Sequence, residues 1–189
     1  MGALARNLSG LHDVELARLA AAGQRPAFGE LVRRHGSAVR GLLRRMGADP
    51  ALADDVAQDA FLAAFERIAE FRGEGAFQAW VKRIAARLCI RRFRRAARID
   101  FAAETPEPEP VTGELDAGMR LDLEEALRSL PTQERMCVSL CFGAGFSHAE
   151  AAQLLNTPLG TVKSHVKRGL DRLRGRLQAS AEAGRRVNE

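Results

Sequence analysis

Apolar residues recur at intervals of three and four along nearly the whole chain, and no stretch alternates strictly between apolar and polar. The pattern therefore predicts helices and no strands. Residues 12–22 place Val14, Leu16, Ala17 and Leu19 on one side and stop at Gly23. Pro26 opens a second helix, with Phe28, Leu31, Val32, Val39 and Leu42 or Leu43 at helical spacing and Gly47 at its end. Asp49-Pro50 supplies a cap and a first-turn proline for a third. That helix carries Leu52, Val56, Phe61, Phe65 and Ile68 inward until Phe71-Arg72-Gly73-Glu74-Gly75 breaks it. A fourth runs from Ala76 to Arg95 with Phe77, Trp80, Val81, Ile84 and Leu88 in register.

The pattern then stops. Between Ile99 and Met119 there is no Lys or Arg, while Asp100, Glu104, Glu107, Glu109, Glu114 and Asp116 are acidic. Glu-Thr-Pro-Glu-Pro-Glu-Pro resists helix and strand alike, so a flexible, self-repelling acidic linker is expected over 98–118. Helical spacing resumes from Leu121 to Leu130, and Pro131 starts another helix with Met136, Val138, Leu140 and Phe142 directed inward. In SHAEAAQLLNTPLGTVKSHVKRGLDRLRGRL, Ser147 and Glu150 form a capping box. Ala151, Ala152, Leu154 and Leu155 line the inner side, Asn156 ends the helix, and Thr157-Pro158 starts the next. There Leu159, Val162, Val166, Leu170, Leu173 and Leu177 share an inward face, and Lys163, Ser164, His165, Lys167, Arg168 and Arg172 look outward. Two helices about a short corner, the second one basic, form a helix-turn-helix whose second helix enters the DNA major groove. The expected architecture is all-α: two small helical domains, 1–97 and 119–178, with the linker at 98–118 and a tail at 179–189.

Composition narrows the function. The chain has 189 residues and a formal charge of +5, long enough for one medium domain or two small ones. No apolar run approaches the ~20 residues that cross a bilayer, and the N-terminus lacks the apolar core of a signal peptide. A cytoplasmic protein without membrane insertion is expected. Cys89, Cys137 and Cys141 sit inside apolar patterns and read as buried thiols. Cys137 and Cys141 share a face and His148 follows, but three ligands without a fourth make a poor zinc site, and no metal is predicted. Neither GxxxxGK nor GxGxxG after a strand occurs, and His12, His35, His148 and His165 are scattered. Asp54, Asp55 and Asp59 lie together on one helix and read as a binding or solvated face. No nucleophile, base and orienting group assemble, so the protein is expected to bind rather than catalyse, with no cofactor.

Three surfaces stand out. From Gly75 to Ile99 there is no acid, while Lys82, Arg83, Arg87, Arg91, Arg92, Arg94, Arg95 and Arg98 are cationic, a pattern suited to phosphate contacts. The preceding FRGEGAF loop, flanked by Phe71 and Phe77, has room for a base turned out of the stack. The spacing of Trp80 assigns it to the core. Asp55, Gln58, Asp59 and Leu62 lie at i, i+3, i+4 and i+7 and form an acidic and apolar stripe suited to protein docking.

These residues resemble the extracytoplasmic-function sigma factors of bacteria, small sigma-70-type specificity subunits of RNA polymerase. AFGELVRRHG through DDVAQDAFLAAFERIAEFRGEGAFQAWVKRIAARL is similar to sigma region 2, a helical bundle. ALRSLPTQERMCVSL through FSHAEAAQLLNTPLGTVKSHVKRGLDRLR is similar to region 4, a helix-turn-helix domain. The resemblance implies that Asp55, Gln58, Asp59 and Leu62 grip the polymerase clamp. It implies that Arg72, Gly73, Glu74 and Gly75, with Lys82, Arg83, Arg87 and Arg91 on the next helix, open and read the −10 element. Thr161, Lys163, Ser164, His165, Lys167 and Arg168 would meet the −35 element. The implied partners are core RNA polymerase through its clamp and flap regions, promoter DNA, and an anti-sigma factor. The linker would thread through polymerase toward the RNA path.

The chain departs from the family pattern at four places. Arg87 stands where Asn is common, Arg91 where an acid is common, Gly75 where Ser is typical, and His165 where the GTVKSR pattern has Arg. The alternative reading is a stand-alone helix-turn-helix regulator with the first half as a dimerisation or sensing domain.

Overall fold

The computed structural model describes residues 8–95 and 123–186. The acidic linker at 98–118, Arg98, and the expected helical residues Leu121 and Asp122 lie outside the described residues. Among the described residues every regular element is helical. In the first half these are α1 (Asp13–Ala21), α2 (Arg25–Arg45), α3 (Pro50–Glu66) and α4 (Phe77–Arg95), with 3-10 turns at Leu8–Gly10 and Ile68–Glu70. In the second they are α5 (Leu123–Arg128), α6 (Thr132–Val138), α7 (His148–Leu155) and α8 (Leu159–Arg186), with a π-helical turn at Ser139–Gly143. The chain divides into two compact units, Met1–Arg44 with Ala48–Phe93 and Arg45–Gly47 with Arg94–Glu189.

The first unit is held by aromatic contacts among three helices. Phe28 of α2 meets Phe61 and Phe65 of α3 at 6.4 and 5.0 Å and Phe77 of α4 at 6.5 Å, all edge to face. Leu31, Val39, Leu42, Val56 and Val81 are fully buried around them. α3 starts where the sequence places it, because the Asp49 carboxylate accepts from the Leu52 amide at 2.8 Å and Pro50 needs no amide partner. Arg34 uses all five of its guanidinium donors. Nε reaches Glu30, Nη1 reaches Asp13 and the Leu11 carbonyl, and Nη2 reaches the Leu8 and Ser9 carbonyls. His35 adds an Nε2 contact to Asp13 at 2.8 Å. The segment before α1 is thereby fastened to α2.

In the second unit, Ala126, Leu127 and Leu130 pack with Val138 and Leu173, and Leu170 lies against them. The predicted capping box is present: the Glu150 amide donates to Ser147 Oγ at 3.2 Å and the Ser147 amide to Glu150 Oε2 at 2.8 Å. Asn156 ends α7 in the left-handed region, φ 53°, a conformation its short polar side chain tolerates. The Thr157 hydroxyl donates back to the Leu155 carbonyl, and Val162 N bonds the Pro158 carbonyl. α8 thus begins at Leu159, one residue later than the sequence suggests. α6 and α8 cross closely at Gly169, where an added Cβ would lie 2.8 Å from Val138 Cγ2.

Several inward assignments fail. Phe142 is 65% exposed, because the π-helical turn it occupies adds a residue and rotates it off the apolar stripe. Leu159, at the first position of α8, and Leu177, beyond the residues that pack on α5 and α6, are both 41% exposed. Val14 is 40% exposed and packs over the backbone of Gly73 instead of into the core. The expected tail at 179–189 is helical as far as Arg186, since Ala179, Ala181, Glu182 and Ala183 favour the helix enough to continue the α8 ladder through Gly184.

Gly169→Val should force α8 away from α6. An overpacked contact of this kind costs about 1–3 kcal/mol, to be read as a lower urea midpoint for the second unit.

Candidate docking and nucleic-acid surfaces

The packing of α3 decides which of its sides is open. Val56, Ala57, Ala60 and Phe61 are buried, while Asp55 and Gln58 are exposed and Leu62 is 56% exposed. The predicted stripe therefore faces outward. Asp59 is half-buried beside it, and its Oδ2 accepts from Arg92 Nη2 of α4 at 2.8 Å. Arg92, seen in the sequence only as one of a run of cations, is the partner of a stripe residue. The signal was weak because the two are far apart along the chain. An exposed pair of this kind contributes about 0–1 kcal/mol, so Asp59 can exchange its partner at little cost.

The loop before α4 brings the expected residues together. Arg72 and Glu74 are exposed, and Gly73 and Gly75 have φ of 76° and 111°. The Gly75 amide donates to the Gly73 carbonyl at 3.0 Å. The loop leans on α1, since a Cβ on Gly73 would lie 3.2 Å from Val14 Cγ1. Behind it Phe77 is fully buried, with Phe71 at 5.4 Å and Trp80 at 5.6 Å. Trp80 is half-buried, not interior: it lies 5.5 Å from Phe71 at the rim of the cluster. A cavity of about 310 Å³ opens beside the loop, lined in part by His12, Asp13, Arg34, Gly75 and Phe77. On α4, Arg87 and Arg91 are exposed one turn apart, whereas Lys82 and Arg83 are half-buried. The basic face is thus strongest toward the C-terminal half of the helix.

On α8, Thr161, Lys163, Ser164, Lys167 and Arg168 are exposed and His165 is half-buried. The Ser164 hydroxyl donates to the Gly160 carbonyl at 2.9 Å. Arg168 Nε donates to Glu134 Oε1 at 3.2 Å, and its Nη2 lies 3.0 Å from His165 Nδ1. Arginine has no acceptor, so Nδ1 holds the lone pair and the proton of a neutral His165 sits on Nε2. Burial, and then the neighbouring Arg168 charge, lower the His165 pKa, with Glu134 acting in the opposite sense. Glu134, absent from every sequence expectation, has a side chain only 4% exposed. The sequence carried no signal for it: Glu134 stands in the first turn of α6 between Gln133 and Arg135, where an acid is ordinary. Cys89 and Cys137 are buried and their thiols are pushed up to about 12 by desolvation. Among the described residues no three His, Cys, Asp or Glu side chains gather as metal ligands.

A helix-turn-helix unit joined in one chain to a unit bearing a cationic helix and an acidic, apolar strip belongs to a class of DNA-binding proteins that also dock to protein. Residues 31–99 match the family profile for Sigma-70 region 2, and residues 120–173 match Sigma-70, region 4. The chain is 34% identical over 178 residues to RNA polymerase sigma factor NccH of Alcaligenes xylosoxydans xylosoxydans, spanning 89% of this chain and 96% of that one. The structure of CnrH in complex with the cytosolic domain of CnrY superposes with a TM-score of 0.53 at 32% identity, over 88% of this chain and 97% of that one. CnrH is an RNA polymerase sigma factor of Cupriavidus metallidurans. The sigma factor RpoE of Bartonella quintana, solved with the anti-sigma factor NepR, shares the fold at 24% identity and a TM-score of 0.51, over 80% of this chain and 96% of that one. The chain belongs to the sigma-70 family, as a sigma factor of the extracytoplasmic-function type. The region 2 match accounts for the half that the stand-alone regulator reading had left to dimerisation or sensing.

Gly75→Ser, which restores the residue typical of the family, places a side chain at φ 111° where open space removes any clash but not the backbone strain. A loss of about 1–3 kcal/mol is expected on urea unfolding. The lowered His165 pKa means that the unfolded chain binds the proton more tightly, so stability is fully present above 6.5 and is lost as pH falls below it. The thermal midpoint of the second unit should therefore drop on acidification more in the native protein than in His165→Asn.

Proposed function

We propose that this sigma factor joins core RNA polymerase through Asp55, Gln58, Asp59 and Leu62, opens the −10 element with the loop at Arg72–Gly75 and the basic face of α4, and reads the −35 element with α8. The observation that carries the docking assignment is Leu62, an exposed apolar side chain in line with exposed Asp55 and Gln58 on a helix whose other side is packed. An apolar residue rimmed by acid in a chain of charge +5 suits a protein partner and repels DNA. The exposed cations on α4 and α8 suit phosphate and base contacts.

The protein acts by binding; bond-making belongs to polymerase. Sigma factors are non-enzymatic initiation factors, which supports this division. No helix of the described residues is long and apolar enough to cross a membrane. A cytoplasmic location agrees with a role at polymerase and its template. The complexes of CnrH with CnrY and of RpoE with NepR support an anti-sigma partner here as well, one that covers the α3 stripe and the inner face of the second unit. The flap of polymerase is the corresponding contact for the second unit in the holoenzyme.

Asp55→Lys and Leu62→Asp, each with an unchanged thermal midpoint, should weaken capture of core polymerase about tenfold, equivalent to about 1.4 kcal/mol. Unchanged capture would make the stripe solvated surface. A promoter fragment should shift on a gel with core enzyme and not with the sigma factor alone. Tight binding without core would favour the stand-alone regulator.

A further inference from the structure

Glu134 sits on α6 where α8 passes closest. A Cβ added at Gly169 would lie 3.4 Å from Glu134 Cβ and 3.6 Å from its carbonyl oxygen. Two helices this close shut the carboxylate away from water, and its side chain is 4% exposed. A buried ion is costly unless opposite charge stands beside it. Arg168 and Arg172, one turn apart on α8, supply that charge. Arg168 Nε donates to Oε1 at 3.2 Å, and Arg172 Nε lies 3.6 Å from Oε2. The second distance is too long for a hydrogen bond, and Oε2 accepts none within the described residues, so Arg172 acts there through its charge. Arg168 has a second tie, from Nη2 to His165 Nδ1 at 3.0 Å.

Packing alone does not require an ion at this position. An apolar side chain of similar length would fill the space beside Val138 and Gly169, and a buried ion pair is commonly no more stable than its apolar replacement. The carboxylate adds direction. A guanidinium pinned at Nε points its outer nitrogens one way, as a bidentate base contact demands. A phosphate contact makes no such demand and is satisfied by a swinging side chain.

We propose that Glu134 is a positioning residue for promoter reading: it aims Arg168 at the −35 bases and withholds Arg168 and Arg172 from unselective phosphate contacts. The proposal rests on the assignment of α8 to the −35 element. It separates two jobs on one helix face. Lys163 and Lys167 supply charge, and Arg168, held from behind, supplies selection.

The test uses the full-length protein with core polymerase and promoter fragments recovered from a random pool by the native holoenzyme. Binding is measured to these fragments and to versions with a substituted −35 element, across a salt series, with thermal unfolding alongside. Glu134→Met should melt no lower than the native protein, lose discrimination about tenfold, and steepen the salt dependence by about one charge as the arginines are released to phosphate. Glu134→Gln keeps an acceptor at Oε1 and should restore most of the discrimination. Glu134→Met with Arg168→Ala should be no worse than Arg168→Ala alone, since both remove the same contact.

Unchanged discrimination and salt slope in Glu134→Met, or additive losses in the double variant, overturn the proposal. If Glu134→Met melts lower, Glu134→Asp takes its place: its carboxylate falls a methylene short, and discrimination should drop about threefold at an unchanged midpoint. Full discrimination in that variant overturns the proposal equally. Lys163→Ala with Lys167→Ala separates the two levels. If that pair also leaves promoter binding intact, α8 does not meet DNA and the functional reading fails with the proposal. If the pair weakens binding while the Glu134 variants do not, only the positioning role fails.

Discussion

A charged group taken out of water needs opposite charge or hydrogen bonds beside it, and without them the penalty is several kcal/mol. Glu134, 4% exposed, is such a group in the second unit, and a partly buried arginine plays a comparable part in the first. In the first, Arg34 spends its five donors on Glu30, Asp13 and three backbone carbonyls, and so ties the segment before α1 to α2. α1 is then placed to rest Val14 on Gly73, the loop that stands before the cationic helix. In the second, Glu134 draws Arg168 and Arg172 onto α6. In both units an ion-pair network also supports an element proposed to face a partner, so these surfaces inherit their geometry from the packing behind them.

The open surfaces follow a different rule, set by sign. Acid and apolar residues gather on the exposed side of α3, and cations gather on α4 and α8. Where the two signs meet, at Asp59 and Arg92, they form a pair whose side chains remain 45% and 49% exposed. Water competes with such a pair, so it is weak enough to open for a polymerase subunit or an anti-sigma protein. A strip held by a buried pair would lack that freedom. The exchangeable contact therefore suits the proposed docking face, and the shielded one the interior side of the helix proposed to read DNA.

Periodic patterns carried most of the fold. The starts of α3 and α7 were legible because capping is local chemistry: Asp49, Ser147 and Glu150 act on amides within three residues of themselves. The outward placement of Asp55, Gln58 and Leu62 followed from helical spacing alone. Other features escaped. Phe142 was misplaced because a π-helical turn breaks the period on which the inference rests. Trp80 was set inside although its cluster ends at the surface. Glu134 was overlooked because its partners come from another helix, and Arg34 because all its partners but Glu30 lie in or before α1; no single-helix pattern encodes which ridge meets which groove. Sequence spacing reports a residue's face; it does not report its neighbour across the interface.

The two family departures that the structure explains point the same way. At Gly75 the backbone takes φ 111°, which a serine would adopt only under strain, so the glycine is more than a lost hydroxyl. At His165 the usual arginine would bring a second fork of donors beside Arg168 and no acceptor. The imidazole, kept neutral by its burial and by Arg168, offers Nδ1 as an acceptor instead. One cation is lost from the reading helix, and the remaining one is held at two of its nitrogens, by Glu134 and by His165. A helix with fewer, steadier charges depends less on phosphate attraction and more on the fit of a single guanidinium. On that argument the histidine at position 165 joins the buried acid at position 134 in the positioning role proposed for Arg168.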